Sequence, residues 1–302
     1  MKNRWWIYQK ERFPIFKHGV LIAVFSSAAV GYSMQLRGER LTPIWGAGLI
    51  AGITLFLCFL QLRIADELKD YAEDARYRPY RPVPRGLVTL RELGIVAIAA
   101  ACIQLGLALS VGWPLVLLLL LVWLYMALMG QEFFVSAWLK ARPLLYLLSH
   151  AVIMPLLALY ATACDWLAAG VPAPSGLIGF LLVSFFNSLT IELGRKIRAP
   201  QDEEPGVDTY SALWGGRRAA IAWLSASWLM GMTSLWAAVL IQLTLPVACV
   251  FLLLISGSGA IVWRFVTQPT TARAKAFEVM SALWTLLIYL SLGIAPGVYS
   301  GF

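Results

Sequence analysis

The sequence has little charge for its length. Of its 302 residues, 13 % are charged and 60 % are hydrophobic, and the mean hydropathy is +0.75. A soluble globular chain carries about a quarter charged residues, so this chain has too few to cover its own surface in water. The shortage excludes soluble enzymes and secreted scaffolds, and it predicts an integral membrane protein.

Histidine and cysteine are also scarce. The two histidines and four cysteines are scattered, and no Cys-x-x-Cys or Cys/His ligand spacing occurs. Their distribution argues against a zinc site and against a disulfide framework. The net charge of +8 is compatible with nucleic-acid binding, but the basic residues flank apolar segments. We therefore expect a membrane surface, and no nucleic acid, as the partner.

Uncharged stretches of bilayer length recur along the chain. A membrane-spanning helix needs about 20 apolar residues. Two stretches are long enough for two helices each, and Gly112-Trp113-Pro114 marks a turn inside the first of them. The count is therefore nine helices, in the stretches 18–36, 41–62, 93–131 (two helices), 143–164, 166–191, 219–263 (two helices) and 279–302. We expect an all-α membrane protein in which residues 1–302 form one domain.

The basic residues fall on one side of the predicted helices. Twenty-two lysines and arginines precede the first helix or follow an even-numbered one, and only Arg37 and Arg40 lie on the other side. Cytoplasmic loops carry the excess of basic residues, so we expect a cytoplasmic amino terminus and an outside carboxyl terminus. The expected location is a bacterial inner membrane, which the chain crosses several times.

The first enlarged cytoplasmic loop, 63–91, begins with a stripe of acidic residues. Asp66, Asp70 and Asp74 are four residues apart, and Glu67 precedes Asp70 by three. No helix breaker occurs before Pro79, so one helix is expected to carry them along one face. Carboxylate oxygens are the ligands that Mg²⁺ prefers, which makes Asp66, Glu67 and Asp70 candidate metal ligands. The alternative is a solvated helix end whose charges are offset by neighbouring lysine and arginine.

The acidic stripe and the turn after it resemble motifs of the UbiA superfamily of intramembrane prenyltransferases. Members have nine membrane helices and, after the second, an acidic motif N/D-D-x-x-D-x-x-x-D followed by R-P-x-P-x-G. This chain has Asp66-Glu67-x-x-Asp70-x-x-x-Asp74 and then Arg81-Pro82-Val83-Pro84-Arg85-Gly86. The resemblance implies a UbiA-type bundle with a central cavity capped by cytoplasmic loops. It also implies catalytic roles for Asp66, Asp70 and Asp74, and substrate binding by Arg81.

The second enlarged loop, 192–218, matches the same superfamily less closely. Its closing Gly206-x-x-Thr209 and Gly215 fit, and Asp202 aligns with an aspartate of the second acidic motif, whereas the leading aspartate has no counterpart. The Tyr-x-x-x-Lys-Arg pattern after the fourth helix is also missing. The candidates here are the metal ligands Glu192 and Asp202 and the substrate-binding side chains of Arg195, Lys196, Arg198 and Tyr210. The alternative is a basic cluster that contacts anionic lipid.

Two polar residues lie inside predicted helices. His150 is in the fifth and Asn187 is near the end of the sixth. Either can bind substrate, and a histidine can also act as a general base. The alternative for both is a hydrogen bond between packed membrane helices.

The resemblance implies an enzyme that uses Mg²⁺ to transfer an isoprenoid group from an allylic diphosphate to a hydrophobic acceptor, aromatic or lipid-like. Membrane lipid surrounds such an enzyme, and an isoprenyl diphosphate is its donor. One alternative is the phosphoribosyl transfer to a polyprenyl phosphate that another branch of the superfamily carries out. A second is a transporter or a non-catalytic membrane partner, but the charges of this chain avoid mid-membrane positions, where ion pathways place some.

Overall fold

The computed structural model describes residues 3–39 and 45–294, and these residues are helical or in turns, with no strand among them. Lys2, Arg40 and the end of the last predicted membrane helix lie outside the described residues. The helices are α1 Arg4–Arg12, α2 Ile15–Leu36, α3 Trp45–Lys69, α4 Tyr71–Tyr77, α5 Leu90–Val111, α6 Trp113–Gly130, α7 Ser136–Lys140, α8 Pro143–Ala151, α9 Ile153–Trp166, α10 Leu177–Arg195, α11 Tyr210–Trp214, α12 Gly216–Leu240, α13 Thr244–Thr267 and α14 Thr271–Tyr289. Short 3₁₀ turns occupy Glu132–Phe134 and Pro200–Asp202, and a π-helical turn, Leu290–Ile294, continues α14.

Nine helical segments within the described ranges are long and apolar enough to cross a membrane. They are α2, α3, α5, α6, α8 with α9, α10, α12, α13, and α14 with its π-helical turn. The prediction of nine membrane helices is therefore confirmed for this part of the chain. The predicted break between the third and fourth membrane helices is also confirmed, because α5 ends just before Gly112, which has φ of 142°. Pro114 lies in the first turn of α6, where its missing N–H costs no hydrogen bond.

The fifth membrane segment is kinked because it contains Pro155. A proline cannot donate to the carbonyl four residues earlier, which here belongs to Ala151, and the segment divides at Val152 into α8 and α9. The hydroxyl of Ser188 on α10 donates to that Ala151 carbonyl at 3.4 Å. The kink follows directly after His150, and thus sets the angle at which α8 approaches the neighbouring helices.

Helices α2 and α10 lie at the centre of the bundle. Helix α2 packs against α3, α9 and α14, and α10 packs against α9, α12 and α14. The contact of α2 with the π-helical turn is especially close, because a Cβ on Gly293 would come within 2.2 Å of the Ala28 backbone. Small residues let membrane helices approach in this way, since packing and hydrogen bonds, rather than water exclusion, drive their association.

The acidic stripe does not lie on one unbroken helix. Helix α3 ends at Lys69 and α4 begins at Tyr71, with Asp70 between them. The expectation of a single helix up to Pro79 was therefore wrong. The chain bends here because α4 turns the carboxylate of Asp74 inward, where it is 1 % exposed and bound to two arginines.

Helix α1 lies across the ends of α3 and α5. Its Tyr8 is buried among Ile64, Val83 and Leu93, so the amino-terminal helix covers both the start of the acidic stripe and the Arg81–Gly86 turn. Arg4 reaches Glu92 at 2.6 Å, and Arg85 reaches Glu11 at 2.9 Å. These ion pairs join segments predicted to be cytoplasmic.

The opposite end of the bundle holds a separate buried ion pair. Arg37, just after α2, donates from two nitrogens to Asp165 on α9, at 2.8 and 3.1 Å. Ser33 adds a third hydrogen bond to the same carboxylate at 2.7 Å. This group fastens the first membrane helix to the fifth, on the face predicted to lie outside.

Candidate functional site

The carboxylates of the first acidic motif have three different environments. Asp66 is about half exposed, with its side chain 51 % accessible, and is only loosely paired with Arg63 at 3.4 Å. Asp70 is partly buried and has no ion-pair partner among the described residues. Asp74 is fully buried and bound by Arg81 at 2.5 Å and by Arg78 at 3.4 Å. Asp66 and Asp70 are thus available to a ligand, whereas Asp74 is occupied.

The Arg81–Gly86 turn is held in place by Asp74. Removing one partner of a buried ion pair is strongly destabilising, because the other charge is left buried without compensation. Arg81, expected to bind substrate, is therefore engaged with Asp74, and the pair fixes the turn over the end of α3.

Glu67 is occupied by a residue from the amino-terminal helix. Its side chain is 1 % exposed and accepts a hydrogen bond from Nε of Arg12. The sequence-based expectation that Glu67 ligates a metal stays a prediction, but in this arrangement its role is to hold Arg12. The guanidinium of Arg63 lies close enough to Arg12, Asp66 and Glu67 to feel their charges.

The second loop brings further cations to the same place. Glu192, at the end of α10, binds Arg195 at 2.6 Å and Lys196 at 3.0 Å. The Arg195 guanidinium also lies within electrostatic range of Asp66. The first and second loops are in direct contact elsewhere too, because a Cβ on Gly206 would lie 2.9 Å from the ring of Tyr77. The two loops therefore contact each other at Tyr77 and Gly206, whereas the shared substrate site expected of them stays a prediction.

Tyr210 lies beside Lys196 in the second loop. Its backbone N–H donates to the Lys196 carbonyl at 3.0 Å, and the Lys196 ammonium lies 5.7 Å from the centre of its ring. Burial, together with the nearby charge of Glu192, raises the pKa of the Tyr210 phenol. Its hydroxyl thus remains protonated and can donate a hydrogen bond at any physiological pH.

Arg198 and Asp202 have partners within their own loop and at the start of α14. Arg198 binds Glu204 at 3.0 Å and the Asp202 carbonyl at 3.3 Å. The Asp202 carboxylate accepts from Thr271 at 3.0 Å. The structure thus gives Glu192 and Asp202 separate partners, and it does not join them as a second metal site.

Asn187 belongs to a network between α10 and α14. Its amide donates to Tyr289 at 3.3 Å and accepts from Thr285 at 2.8 Å, and it is 1 % exposed. These bonds agree with the alternative of helix-to-helix hydrogen bonding. Asn187 is not brought to the group formed by the two loops.

A buried polar network that sequence reasoning missed lies beside Asp70. Lys69 binds Glu132 at 2.6 Å and donates to the Tyr146 hydroxyl at 2.7 Å, and that hydroxyl donates to Glu132 at 3.1 Å. The imidazole of His150 stacks on Tyr146 with a centroid separation of 4.0 Å. His150 also lies within electrostatic range of Glu192, so this network adjoins the cluster from the two loops. One signal was present in the sequence: Glu132 is an acidic residue directly after an apolar membrane helix.

The electrostatics of Asp70 favour a bound cation. Burial raises the pKa of its carboxyl, Lys69 lowers it, and the charges of Asp66 and Asp74 raise it further. A divalent cation between Asp66 and Asp70 would relieve this repulsion, and Mg²⁺ is commonly bound by one or two carboxylates with water and phosphate oxygens completing its shell. Within the described ranges, no three acidic, histidine or cysteine side chains come together as a ready-made metal cage. The site therefore fits a metal ion that is shared with a phosphate substrate.

A sequence profile of the UbiA prenyltransferase family matches residues 21–291, which is most of the chain. The chain belongs to this family. The resemblance seen in the acidic motif is thereby confirmed. At the level of individual sequences, the chain matches no curated protein.

The fold is shared with solved structures of the family at low sequence identity. A structure of a digeranylgeranylglyceryl phosphate synthase has a TM-score of 0.65 at 13 % identity, covering 97 % of this chain and 98 % of the other. An apo UbiA homologue from Aeropyrum pernix K1 has a TM-score of 0.68 at 14 % identity, covering 93 % and 97 %. A UbiA homologue from Archaeoglobus fulgidus bound to GPP and Mg²⁺ has a TM-score of 0.55 at 13 % identity, covering 93 % and 98 %. These likenesses confirm the UbiA-type, all-α membrane bundle.

Proposed function

We propose that the chain is a Mg²⁺-dependent prenyltransferase that transfers an isoprenyl group from an allylic diphosphate to a lipid-soluble acceptor. The observation that carries the proposal is the contact between the two loops, where Asp66 pairs with Arg63 at 3.4 Å and lies within electrostatic range of Arg195. Paired acidic and basic groups at a membrane surface suit a ligand that is both a metal chelator and an anion. An isoprenyl diphosphate has both properties.

Membership in the prenyltransferase family supports the reaction class. The homologue from Archaeoglobus fulgidus was solved with GPP and Mg²⁺, so a protein of this fold holds such a donor together with the metal. By analogy, Asp66 and Asp70 are the ligands we assign to Mg²⁺ in this chain. When bound, the ion supplies positive charge that stabilises the diphosphate as it leaves.

The cationic side chains of this chain perform the remaining part of that stabilisation. We assign Arg63 and Arg195 to donate to diphosphate oxygens by a planar fork, and Lys196 to act as a point charge. Glu67 and Glu192 each hold an arginine in position before substrate arrives. Preorganised groups of this kind favour the transition state because they need no reorientation during bond breaking.

A product screen tests the proposal. Purified protein is incubated with Mg²⁺, a bacterial lipid extract and, in separate reactions, geranyl or geranylgeranyl diphosphate, and prenylated lipids are identified by mass spectrometry. We expect release of diphosphate and at least one new prenylated product, both lost in Asp70→Ala. Asp208→Ala serves as the control, because Asp208 lies in the second loop outside the proposed site and is expected to retain activity.

Two other results would contradict the proposal. Consumption of phosphoribosyl diphosphate with a polyprenyl phosphate, and none of the prenyl donors, would show the alternative transfer reaction. Transport of a solute into vesicles without turnover of any donor would show a transporter.

A further inference from the structure

The left-handed turn after the fourth membrane helix brings a buried oxygen of Glu132 close to a buried ring nitrogen of His150 on α8. The proposed donor site uses neither atom. Glu132 has φ of 49°, and the two phenylalanines after it have φ of 53° and 60°. Three successive non-glycine residues in this region are strained, at about 1–2 kcal/mol each, and such strain concentrates where a side chain must be held for function. Here it holds Glu132, which is 4 % exposed, against His150 on α8.

One oxygen of Glu132 is fully occupied and the other is not. Oε1 accepts from Lys69 and from Tyr146, at 2.6 and 3.1 Å. Oε2 is buried and has no hydrogen-bond partner among the described residues. A buried carboxylate oxygen without a partner is costly, typically by 1–3 kcal/mol or more, so this atom calls for a donor.

The nearest group, the imidazole of His150, cannot supply that donor while it is neutral. Nδ1 of His150 lies 2.9 Å from the Tyr146 carbonyl oxygen, and a carbonyl only accepts, so Nδ1 carries the ring proton. In a neutral imidazole, Nε2 is then an acceptor. Nε2 is also buried without a partner within the described ranges, 3.7 Å from Oε2 of Glu132. Two lone pairs thus face each other with no hydrogen between them, and the 3.7 Å separation is in any case too long for a direct hydrogen bond.

A ligand hydroxyl in this gap donates its one hydrogen to one of the two acceptors or shares it between them. The isoprenyl diphosphate is the wrong ligand, because its head is anionic and its tail has no donor. An apolar cleft of about 320 Å³ is lined by Phe133 and Ser149, the chain neighbours of Glu132 and His150, and by Trp138 among others. Phe133 also meets the His150 ring edge-on at 5.9 Å, and Trp138 is half exposed on the outer surface. The cleft therefore opens to the surface of the bundle beside α7.

We propose that Glu132 and His150 bind the acceptor substrate through a hydroxyl group, with the apolar body of the acceptor in the adjacent cleft. The hydroxyl hydrogen is donated to Glu132 or His150, and the pair orients the acceptor beside the donor site next to Asp70. The assignment of this ligand as the acceptor rests on the proposed function. The hydroxyl-binding property itself does not, so the two can fail separately.

Binding of matched probes without Mg²⁺ or donor tests the inference. Equilibrium dialysis in one detergent measures Kd for 4-octylphenol against 4-octylanisole, and for 1-decanol against decyl methyl ether. Each pair differs by whether the oxygen carries a hydrogen. We expect the wild type to bind the hydroxyl member of at least one pair about 10-fold more tightly, since the ether leaves both acceptors unsatisfied.

Two variants locate the preference. In Glu132→Gln the amide oxygen replaces Oε1 against Lys69, so its NH₂ faces His150 and closes the gap from inside. His150→Phe keeps the stack on Tyr146 but removes Nε2. Glu132→Gln is expected to lose the preference for the hydroxyl member. His150→Phe is expected to weaken it, because Oε2 of Glu132 remains as an acceptor, whereas His18→Phe, at the chain's other histidine, is expected to keep it.

Equal binding of hydroxyl and ether by the wild type in both pairs would overturn the inference, and would mean that only water fills the gap. Retention of the preference in both variants would overturn it as well. A normal hydroxyl preference in a protein that turns over no prenyl diphosphate would overturn the proposed function and leave this binding site standing.

Discussion

Single residues of the first acidic motif differ in what they do, although their spacing is uniform. Asp66 is half exposed and Asp70 has no ion-pair partner among the described residues, whereas Asp74 is buried against two arginines. The motif therefore combines ligand-binding carboxylates with one that holds the fold. Three substitutions separate these roles.

Asp74→Ala is expected to destabilise the protein, and Asp66→Ala is not. Loss of Asp74 leaves Arg78 and Arg81 buried without their partner, which costs about 3–5 kcal/mol. Loss of the half-exposed Asp66 is expected to change stability by less than about 1 kcal/mol while abolishing Mg²⁺-dependent turnover. Thermal unfolding in detergent, alongside turnover, measures both. Equal loss of stability in the two variants would show that the environments have been misassigned.

Asp70→Asn is expected to raise thermal stability in metal-free buffer while abolishing activity. Burial raises the pKa of Asp70 in the folded state, so folding favours its protonated form. The corresponding stability is present at acidic pH and is lost as pH rises through the raised pKa. Asparagine, which is neutral throughout, is therefore expected to be more stable than aspartate at pH 8 and equal to it near pH 4.

The measurement is the melting temperature with EDTA across that pH range. Mg²⁺ is expected to stabilise the wild type at pH 8 and to leave Asp70→Asn unchanged, since a ligand stabilises only the state that binds it. A variant that is less stable than the wild type at pH 8 would contradict the assigned environment.

At the scale of helices, the bundle depends on close approach at particular points. Gly293 in the π-helical turn lies against the Ala28 backbone of α2, where backbone atoms cannot give way. Gly259 on α13 has nothing within 4 Å of an added Cβ. The two glycines thus form a matched pair, one at a helix contact and one facing open space.

Gly293→Ala is expected to lower the melting temperature, because a methyl group would force α14 away from α2. Overpacking typically costs 1–3 kcal/mol, and more where the backbone itself must move. Gly259→Ala is expected to be neutral or slightly stabilising, since alanine favours a helix interior over glycine. Thermal unfolding of both variants checks this, and equal effects would be inconsistent with the packing described.

The membrane helices could be predicted because bilayer thickness fixes their length and excludes charge. Gly112 and Pro114 marked a break that the chain indeed makes. The kink near Pro155 follows from the missing N–H of proline. The position that this kink gives to His150 depends on which helices pack against α8. The bend at Asp70 could not be predicted, because it results from the burial of Asp74 against Arg81.

The sequence could not predict which charged side chains form ion pairs when they are far apart along the chain. Lys69 and Glu132 are both ordinary charged residues at helix ends, and only the packing of α3 against α6 and α8 brings them together. Nothing in Glu132 and the residues after it indicates a left-handed turn, since that conformation usually needs glycine. The pairing of Arg12 with Glu67 likewise depends on the tertiary position of α1.

At the scale of the whole molecule, the placement of charge predicts orientation. The ion pairs around Asp66, Glu132 and Glu192 lie at the end of the bundle that carries almost all basic residues, and Arg37 with Asp165 lies at the other. The cytoplasmic location of the first end follows from the excess of basic residues and remains a prediction.

Cysteine labelling tests the orientation. A charged, membrane-impermeant maleimide is expected to label Ala173→Cys in intact cells and Lys10→Cys only after permeabilisation. The wild type provides the blank, because its described cysteines lie within apolar helices. Labelling of Lys10→Cys in intact cells would reverse the orientation.

The account as a whole depends on the two loops holding a diphosphate together with a metal ion. Its most direct measurement is the affinity for a non-reactive thio analogue of geranylgeranyl diphosphate, with Mg²⁺ and with EDTA, in the wild type, in Asp66→Asn/Asp70→Asn and in Asp208→Asn. We expect binding to require both Mg²⁺ and the two carboxylates, with at least a 100-fold loss when either is removed and no change in Asp208→Asn. Equal affinity in EDTA, or in the double variant, would contradict the central claim.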